Sequence, residues 1–212
     1  MSPRRKFCLF AAALILAVGL PSRADAHLVV TGLGPVYDGA GHWFSSPEDI
    51  IPVLALAILA GLRGPIAGRC TLCLLPPAWL IGGLFGLFLP DVPELSRPIL
   101  SAIVAFTFLV PGILALSDLP IPAAAVAMVA ILLGLVHGVL DAFGLRAEGI
   151  TTTVGVLQFL GMAVATFLFV TLFAALVISL RWPWTRIAAR VLGSWITAAG
   201  IFLLGWSING NG

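Results

Sequence analysis

The sequence "LLGLVHGVLDAFG", Leu132–Gly144, ends a long apolar run that predicts a membrane-spanning helix. It nevertheless carries His137 and Asp141, which lie four residues apart and therefore share one face of a helix. Gly134 and Gly138 fall on the same face and would let a neighbouring helix approach closely. We therefore expect this face to point into a helix bundle, with the imidazole and the carboxylate directed inward.

The composition of the whole chain is that of an integral membrane protein. Hydrophobic residues make up 60% of the 212 residues and charged residues only 9%, against about a quarter charged residues in soluble domains. The few basic residues offer no surface for nucleic acid. We predict an all-α integral membrane protein, a six-transmembrane-helix bundle whose apolar segments cover approximately 48–62, 71–89, 98–116, 121–143, 152–180 and 187–208.

The N-terminus has the three parts of a secretory signal peptide. "MSPRRK" is basic, "FCLFAAALILAVGL" is apolar, and Ala24 and Ala26 have the small side chains of a cleavage site. We predict cleavage after Ala26, with an uncleaved first membrane helix as the alternative. The domains are then a signal peptide over 1–26, a periplasmic segment over 27–47 and the transmembrane domain over 48–212.

The distribution of arginine supports a bacterial inner-membrane protein whose mature N-terminus is periplasmic. Cytoplasmic loops of such proteins are enriched in arginine and lysine. In this orientation the cytoplasmic loops hold Arg63, Arg69, Arg181, Arg186 and Arg190, whereas the periplasmic loops hold Arg97 and Arg146.

Two of the predicted helices contain residues that tend to break helices. Pro76-Pro77 lies in the second apolar segment and Pro111-Gly112 in the third. Proline removes a backbone donor, and the carbonyl groups freed in a membrane must be bound by protein or by water in a cavity. We interpret these positions either as kinks or as broken helices along a transport path.

The pair of His137 and Asp141 has three interpretations. Asp141 could orient His137 through a hydrogen bond and lock two helices together, the two groups could relay protons, or they could contribute to a metal site. Ionisable groups inside a membrane are costly and usually mark a functional path. All three histidines of the chain, His27, His42 and His137, are predicted to lie on the periplasmic side, which favours the metal site.

The segment before the first apolar helix supplies further nitrogen and oxygen donors. His27, as the first mature residue, would offer a ring nitrogen and a free amine, which suit nickel, copper, cobalt and zinc rather than calcium or magnesium. Asp38 and His42 lie four apart in "YDGAGHW", where two glycines argue against a helix, so we expect a turn to bring them together; the alternative is two ordinary loop residues. The predicted metal ligands are His27, Asp38, His42, His137 and Asp141.

Two other motifs have a structural and a chemical interpretation. In "SSPED", Ser46 can cap a helix that begins at Pro47, and an acid three residues later completes a capping box, so we interpret Glu48 and Asp49 as capping residues rather than ligands.

Cys70 and Cys73 form "CTLC" at the cytoplasmic start of the second helix. They could relay a soft metal ion or be redox active, or they could be two small apolar side chains in the bundle.

The sequence resembles the HupE/UreJ family of bacterial membrane proteins, which are regarded as nickel or cobalt permeases associated with hydrogenase and urease systems. The resemblance rests on the signal peptide, on His27, Asp38 and His42 before the first helix, and on "LLGLVHGVLDAFG", which is similar to the family's later histidine-glycine helix. The chain departs from the family's adjacent Asp-His pair, because "SSPEDIIPVLALAILAGLRG" stands where the first helix begins.

The resemblance implies a permease for a divalent transition metal ion, nickel or cobalt, that is not an enzyme. The residues also allow a metal-binding accessory protein that handles copper, or a subunit of a larger membrane complex or homo-oligomer. A third candidate is an intramembrane zinc hydrolase, although no nucleophile motif is visible. Because neutral imidazole is the form that binds metal, binding should weaken as the pH falls through the histidine range.

Overall fold

The computed structural model describes residues 31–89, 97–180 and 182–209, and in these parts of the chain the regular structure consists of seven helices. The predicted signal peptide and His27 lie outside the described residues. We number the helices in chain order: α1 Pro35–Ser45, α2 Pro47–Arg63, α3 Pro65–Phe88, α4 Arg97–Ser117, α5 Ala123–Ala147, α6 Thr152–Ser179 and α7 Pro183–Ile208.

The helix lengths confirm the all-α membrane bundle. The five helices α3 to α7 are each long and apolar enough to cross a membrane. Helices α1 and α2 are joined at a bend of 75° and together would form a sixth span. The described chain therefore has five candidate spans, or six if α1 and α2 form one broken span; the predicted first segment, 48–62, corresponds to α2 alone.

Helix α1 corrects the prediction of a turn between Asp38 and His42. Gly39 lies within α1, and a Cβ atom there would come within 2.0 Å of the backbone oxygen of Gln158 in α6. On the other side of the contact, a Cβ on Gly161 would come within 1.9 Å of the backbone oxygen of Val36. Glycine therefore allows α1 and α6 to touch backbone to backbone, and this packing outweighs the poor helix propensity of glycine.

The proline residues do not break their helices, so of the two interpretations only kinks within continuous helices remain. Helix α3 continues through Pro76 and Pro77, and α4 continues through Pro111, so neither is divided into two helices. The break within the described chain lies instead at Ser46, whose backbone is extended between α1 and α2. Pro47 then occupies the first turn of α2, where its missing N–H costs no helical hydrogen bond.

Glycine packing between α3 and α5 confirms that the face carrying His137 points into the bundle. A Cβ on Gly138 would lie 2.2 Å from the backbone oxygen of Trp79, and one on Gly134 would lie 2.7 Å from that of Leu75. Both glycines and His137 are buried. The two helices are therefore close enough for side chains of α3 to contact the polar groups of α5.

Helices α4 and α7 form a pair that is partly separate from the rest of the bundle. They pack along each other and share a small apolar cluster with α2, which contains Ala55, Phe108 and Ile196. The main cluster, with Trp43, Trp79 and Phe159 among its members, belongs mostly to the other helices. Between α4 and α5 lies an apolar cleft of about 260 Å³, with Thr107, Pro111, Leu132, Leu133 and Val136 in its walls.

An ion cluster holds this pair to α2 at one end of the bundle, which we call the arginine end and define by Arg63, Asp118 and Arg186. Arg63 donates to the carboxylate of Asp118 and, over 2.8 Å, to the backbone oxygen of Leu119. Arg186 approaches the other oxygen of Asp118 at 3.5 Å. Arg190 donates to the backbone oxygen of Leu116 at the end of α4.

Substitution of Arg63 should therefore destabilise the bundle more than substitution of Arg186. The Arg63 and Asp118 side chains are 10% and 16% exposed, whereas Arg186 is 68% exposed. We expect Arg63→Ala to lower the free energy of unfolding by about 1 to 3 kcal/mol, the usual effect of losing a hydrogen bond between charged groups. Arg186→Ala should change it by less than about 0.5 kcal/mol. Unfolding of the purified variants in detergent measures both values, and equal effects would contradict the expectation.

Candidate metal-transport site

His137 is buried and has a hydrogen-bond partner on each ring nitrogen. Its Nδ1 atom lies 2.8 Å from Oδ1 of Asp49 in α2, and its Nε2 atom lies 3.0 Å from the hydroxyl oxygen of Thr107 in α4. Side chains from three helices thus meet at this one imidazole. With about 15 Å of α5 between His137 and the helix end at Ala147, the group lies well inside the membrane-spanning part of the bundle.

Asp49 is a partner of His137 that the sequence interpretation missed. It was expected to cap α2, but Ser46 and α2 form no side-chain capping bond, and the Asp49 side chain is directed at His137. Only 1% of the surface of Asp49 is exposed, whereas the neighbouring residue Glu48 is exposed. The sequence did contain one indication of this. The helical spacing puts Asp49 on the same face of α2 as Val53, Leu56 and Ala60, all of which are buried.

The second oxygen of the Asp49 carboxylate, Oδ2, is buried and accepts no hydrogen bond from the described residues, and the Ser46 hydroxyl interacts with the same carboxylate. Buried carboxylate oxygens are normally hydrogen-bonded, because removal from water is otherwise costly. An oxygen in this state is available to a cation or to a water molecule. The position of this oxygen next to the imidazole of His137 is therefore the main structural argument for a binding site.

Asp141 is bonded to Trp79 rather than to His137. Trp79 Nε1 donates to Oδ2 of Asp141 over 2.8 Å, and no hydrogen bond joins Asp141 to His137 in the described part of the chain. The Trp79 ring lies 5.1 Å from the His137 ring, at an angle of 32°. The interpretation that Asp141 orients His137 is therefore wrong, because α3 packs closely enough for its indole to bind the carboxylate.

The break between α1 and α2 lies next to this group. His42, half-buried, is in the last turn of α1, and its backbone oxygen accepts hydrogen bonds of 2.9 Å from the hydroxyls of Ser45 and Ser46. The neighbouring Trp43 is fully buried and touches Trp79, with ring centroids 6.3 Å apart. The carbonyl end of one short helix and the acidic first turn of the next therefore meet at the site, an arrangement that attracts cations in membrane proteins.

Asp38, Cys70 and Cys73 do not join this group in the part of the chain that the structure describes. Asp38 accepts hydrogen bonds of 2.6 Å from the backbone N–H and the hydroxyl of Thr31, so it holds the chain before α1. Cys70 and Cys73 are free thiols in α3, near the arginine end, the first half-buried and the second exposed. Within residues 31–89, 97–180 and 182–209, no three His, Cys, Asp or Glu side chains are arranged to hold one ion.

The polar group has chemical groups that occur in metal sites, although the described side chains are not arranged to hold an ion together. It contains an imidazole and the carboxylates of Asp49 and Asp141, which suit divalent ions of the later first-row metals. Both ring nitrogens of His137 are occupied, so an ion could bind the ring only after displacing one partner.

Comparison with known proteins identifies the family of the chain. No curated protein and no solved structure matches it. The family model described as "HupE / UreJ protein" matches residues 14–203, which is most of the chain. This match agrees with the all-α membrane bundle and with the resemblance of the sequence around His137 to that family. The protein therefore belongs to the HupE/UreJ family, whose members are membrane proteins associated with nickel and cobalt transport.

Proposed function

We propose that this protein is a permease for a divalent transition metal ion, nickel or cobalt, and that the ion passes the polar group formed by Asp49, His137 and Asp141. The observation that carries the proposal is the buried pair of Asp49 and His137, with one carboxylate oxygen unpartnered, at a break between two short helices. Membrane transporters place their ion sites at such breaks. Membership of the HupE/UreJ family supplies the class of ion.

The proposed path begins at the end of the bundle opposite the arginine end, which the arginine distribution predicts to be periplasmic. His27, Asp38 and His42 would meet the ion there first, and His42 lies in the last turn of α1, directly before the break. The ion would then pass Asp49, His137 and Asp141. Cys70 and Cys73 lie three residues apart in α3, one helical turn, so both thiols could contact a soft ion as it leaves at the arginine end.

The test compares two neighbouring acids whose surroundings differ. Asp49→Asn keeps the size of the side chain but removes its charge beside His137, and we expect nickel uptake by expressing cells to fall at least about tenfold. Glu48→Gln removes a charge from the exposed neighbour and should lower uptake much less than Asp49→Asn does. Equal uptake by wild type and Asp49→Asn would exclude Asp49 from the path.

A second measurement distinguishes transport from binding alone. Purified protein is reconstituted into liposomes, and the nickel or cobalt bound to protein and the ion that enters the lumen are determined separately. We expect saturable entry. Binding without entry would favour an accessory protein or a subunit of a larger membrane complex, and preferential retention of copper would favour a copper-handling role.

A further inference from the structure

Glu48 is an exposed carboxylate that lies next to the buried polar group. It directly precedes Asp49, which contacts His137 over 2.8 Å, and it interacts electrostatically with Asp49, His137 and Asp141. Asp49 and His137 are each only 1% exposed, whereas Glu48 is not covered by protein. The medium that surrounds the bundle at this point, lipid or water, therefore contacts the carboxylate of Glu48.

Two helices give the depth of Glu48 in the membrane. About 15 Å of α5 separates His137 from the helix end at Ala147, and about 15 Å of α4 separates Thr107, the second partner of His137, from the helix end at Arg97. Both helix ends lie opposite the arginine end, and we call this side of the bundle the entry end. Because the hydrocarbon core of a bilayer is about 30 Å thick, Glu48 lies well inside it.

A carboxylate at this depth is far more stable in water than in lipid. Charged side chains within membrane spans almost always face the protein interior or a water-filled cavity, because contact with hydrocarbon is costly. Glu48 is exposed, which leaves the water-filled cavity. Phe106 provides the contrast: it precedes Thr107 at a similar depth, is 55% exposed, and lies in the wall of the apolar cleft between α4 and α5.

The break between α1 and α2 leaves room for such a cavity among the described helices. Helix α2 begins at Pro47, near the depth of His137, and does not continue toward the entry end. Helix α1 turns away at 75° and packs along α6, and the described helices show no packing of α1 along α4 or α5. Helices α4 and α5 also have little direct contact with each other. The first turn of α2 therefore forms the floor of a space that opens toward the entry end.

We infer that a water-filled vestibule leads from the entry end to Glu48, and that Glu48 meets hydrated divalent cations before they reach Asp49 and His137. An exposed carboxylate attracts cations over roughly a Debye length, about 8 Å at physiological ionic strength, and so raises the rate of encounter without holding the ion. The role of Glu48 rests on the proposed function, which supplies the cation. The presence of water at Glu48 is independent of that function.

Chemical labelling tests the vestibule. Cys8, Cys70 and Cys73, the three cysteines of the chain, are replaced by serine, and one new cysteine is introduced by Glu48→Cys or by Phe106→Cys. Spheroplasts are then treated with a charged, membrane-impermeant thiol reagent. We expect Glu48→Cys to react at least about tenfold faster than Phe106→Cys, because a thiol ionises and reacts in water but not in hydrocarbon. Reaction of both variants after denaturation measures the amount of each protein.

Uptake kinetics test the role of Glu48, and they do so even if a cysteine at this position is not tolerated. Glu48→Gln preserves the size of the side chain and removes its charge. At low ionic strength we expect it to raise the KM for nickel about two- to threefold with little change in maximal uptake, because it slows encounter. The difference should shrink at high ionic strength, since salt screens exposed charges. A merely structural role would instead lower maximal uptake at both ionic strengths.

The outcomes distinguish this inference from the proposed function. Equal labelling rates for Glu48→Cys and Phe106→Cys would overturn the vestibule, even in a protein that transports nickel. Fast labelling of Glu48→Cys alone, in a protein that transports no nickel, would uphold the vestibule and overturn the permease. An unchanged KM in Glu48→Gln, or a change that salt does not reduce, would overturn the role of Glu48 in attracting cations.

Discussion

Cells that express His137→Ala should accumulate no more nickel than cells that lack the protein. The substitution removes the imidazole that joins α2, α4 and α5, and it leaves no nitrogen donor on the proposed path at this depth. It also leaves the carboxylate of Asp49 buried without its partner, which costs several kcal/mol in comparable cases. Uptake, measured together with the amount of protein in the membrane, should therefore fall even where the variant is still inserted.

A double variant separates the transport role of His137 from its structural role. In Asp49→Leu with His137→Leu, the buried polar pair is replaced by apolar side chains, an exchange that is often neutral or stabilising. We expect its midpoint of thermal unfolding to return toward the wild-type value while nickel uptake stays absent. If uptake returned together with stability, the pair would be a structural lock and the ion would take another route.

Gly138→Ala should be among the most destabilising single substitutions in the bundle. A Cβ atom at this position would lie 2.2 Å from the backbone oxygen of Trp79 and 2.6 Å from the backbone nitrogen of Gly83. Backbone atoms cannot rotate away as a side chain can, so α3 and α5 would have to separate. We expect the free energy of unfolding to fall by about 3 kcal/mol or more, at the upper end of the effect of overpacking a core.

Gly144→Ala is the matched control, since it makes the same change in the same helix. A Cβ at Gly144 has no atom within 4 Å beyond its own helix, and alanine favours helix over glycine by about 1 kcal/mol. We expect Gly144→Ala to be neutral or slightly stabilising. Unfolding in detergent compares the two variants, and similar values for both would show that α3 and α5 are less closely packed than described. Gly138→Ala should also reduce uptake, because Trp79 would move from its contact with Asp141.

Most of the membrane fold could be predicted because it depends on local composition. Apolar segments of sufficient length form helices in a bilayer wherever their neighbours lie, and the five helices from α3 to α7 lie where hydropathy predicts them. The inward face of α5 was equally predictable, because helical periodicity alone puts Gly134, His137 and Gly138 on one side.

The helix α1 could not be predicted, because glycine destabilises an isolated helix but allows two packed helices to approach closely. In an isolated segment Gly39 and Gly41 weaken a helix, and a turn was the reasonable expectation. Against α6, Gly39 is the residue that lets two backbones touch, with Gly161 doing the same from the other side. The prolines show the same dependence, since α3 and α4 continue through theirs while the chain breaks at Ser46.

The partners of His137 depend wholly on how the helices pack. The chain itself specifies an imidazole and a carboxylate one turn apart on a buried face, and thereby the existence of a polar site in the membrane. It does not specify that Asp49 rather than Asp141 binds the imidazole, that Trp79 binds Asp141, or that Thr107 occupies the second ring nitrogen. Those bonds join residues that are 30 to 88 positions apart. Periodicity and hydropathy act within one helix, whereas these contacts arise only when α2, α3, α4 and α5 come together.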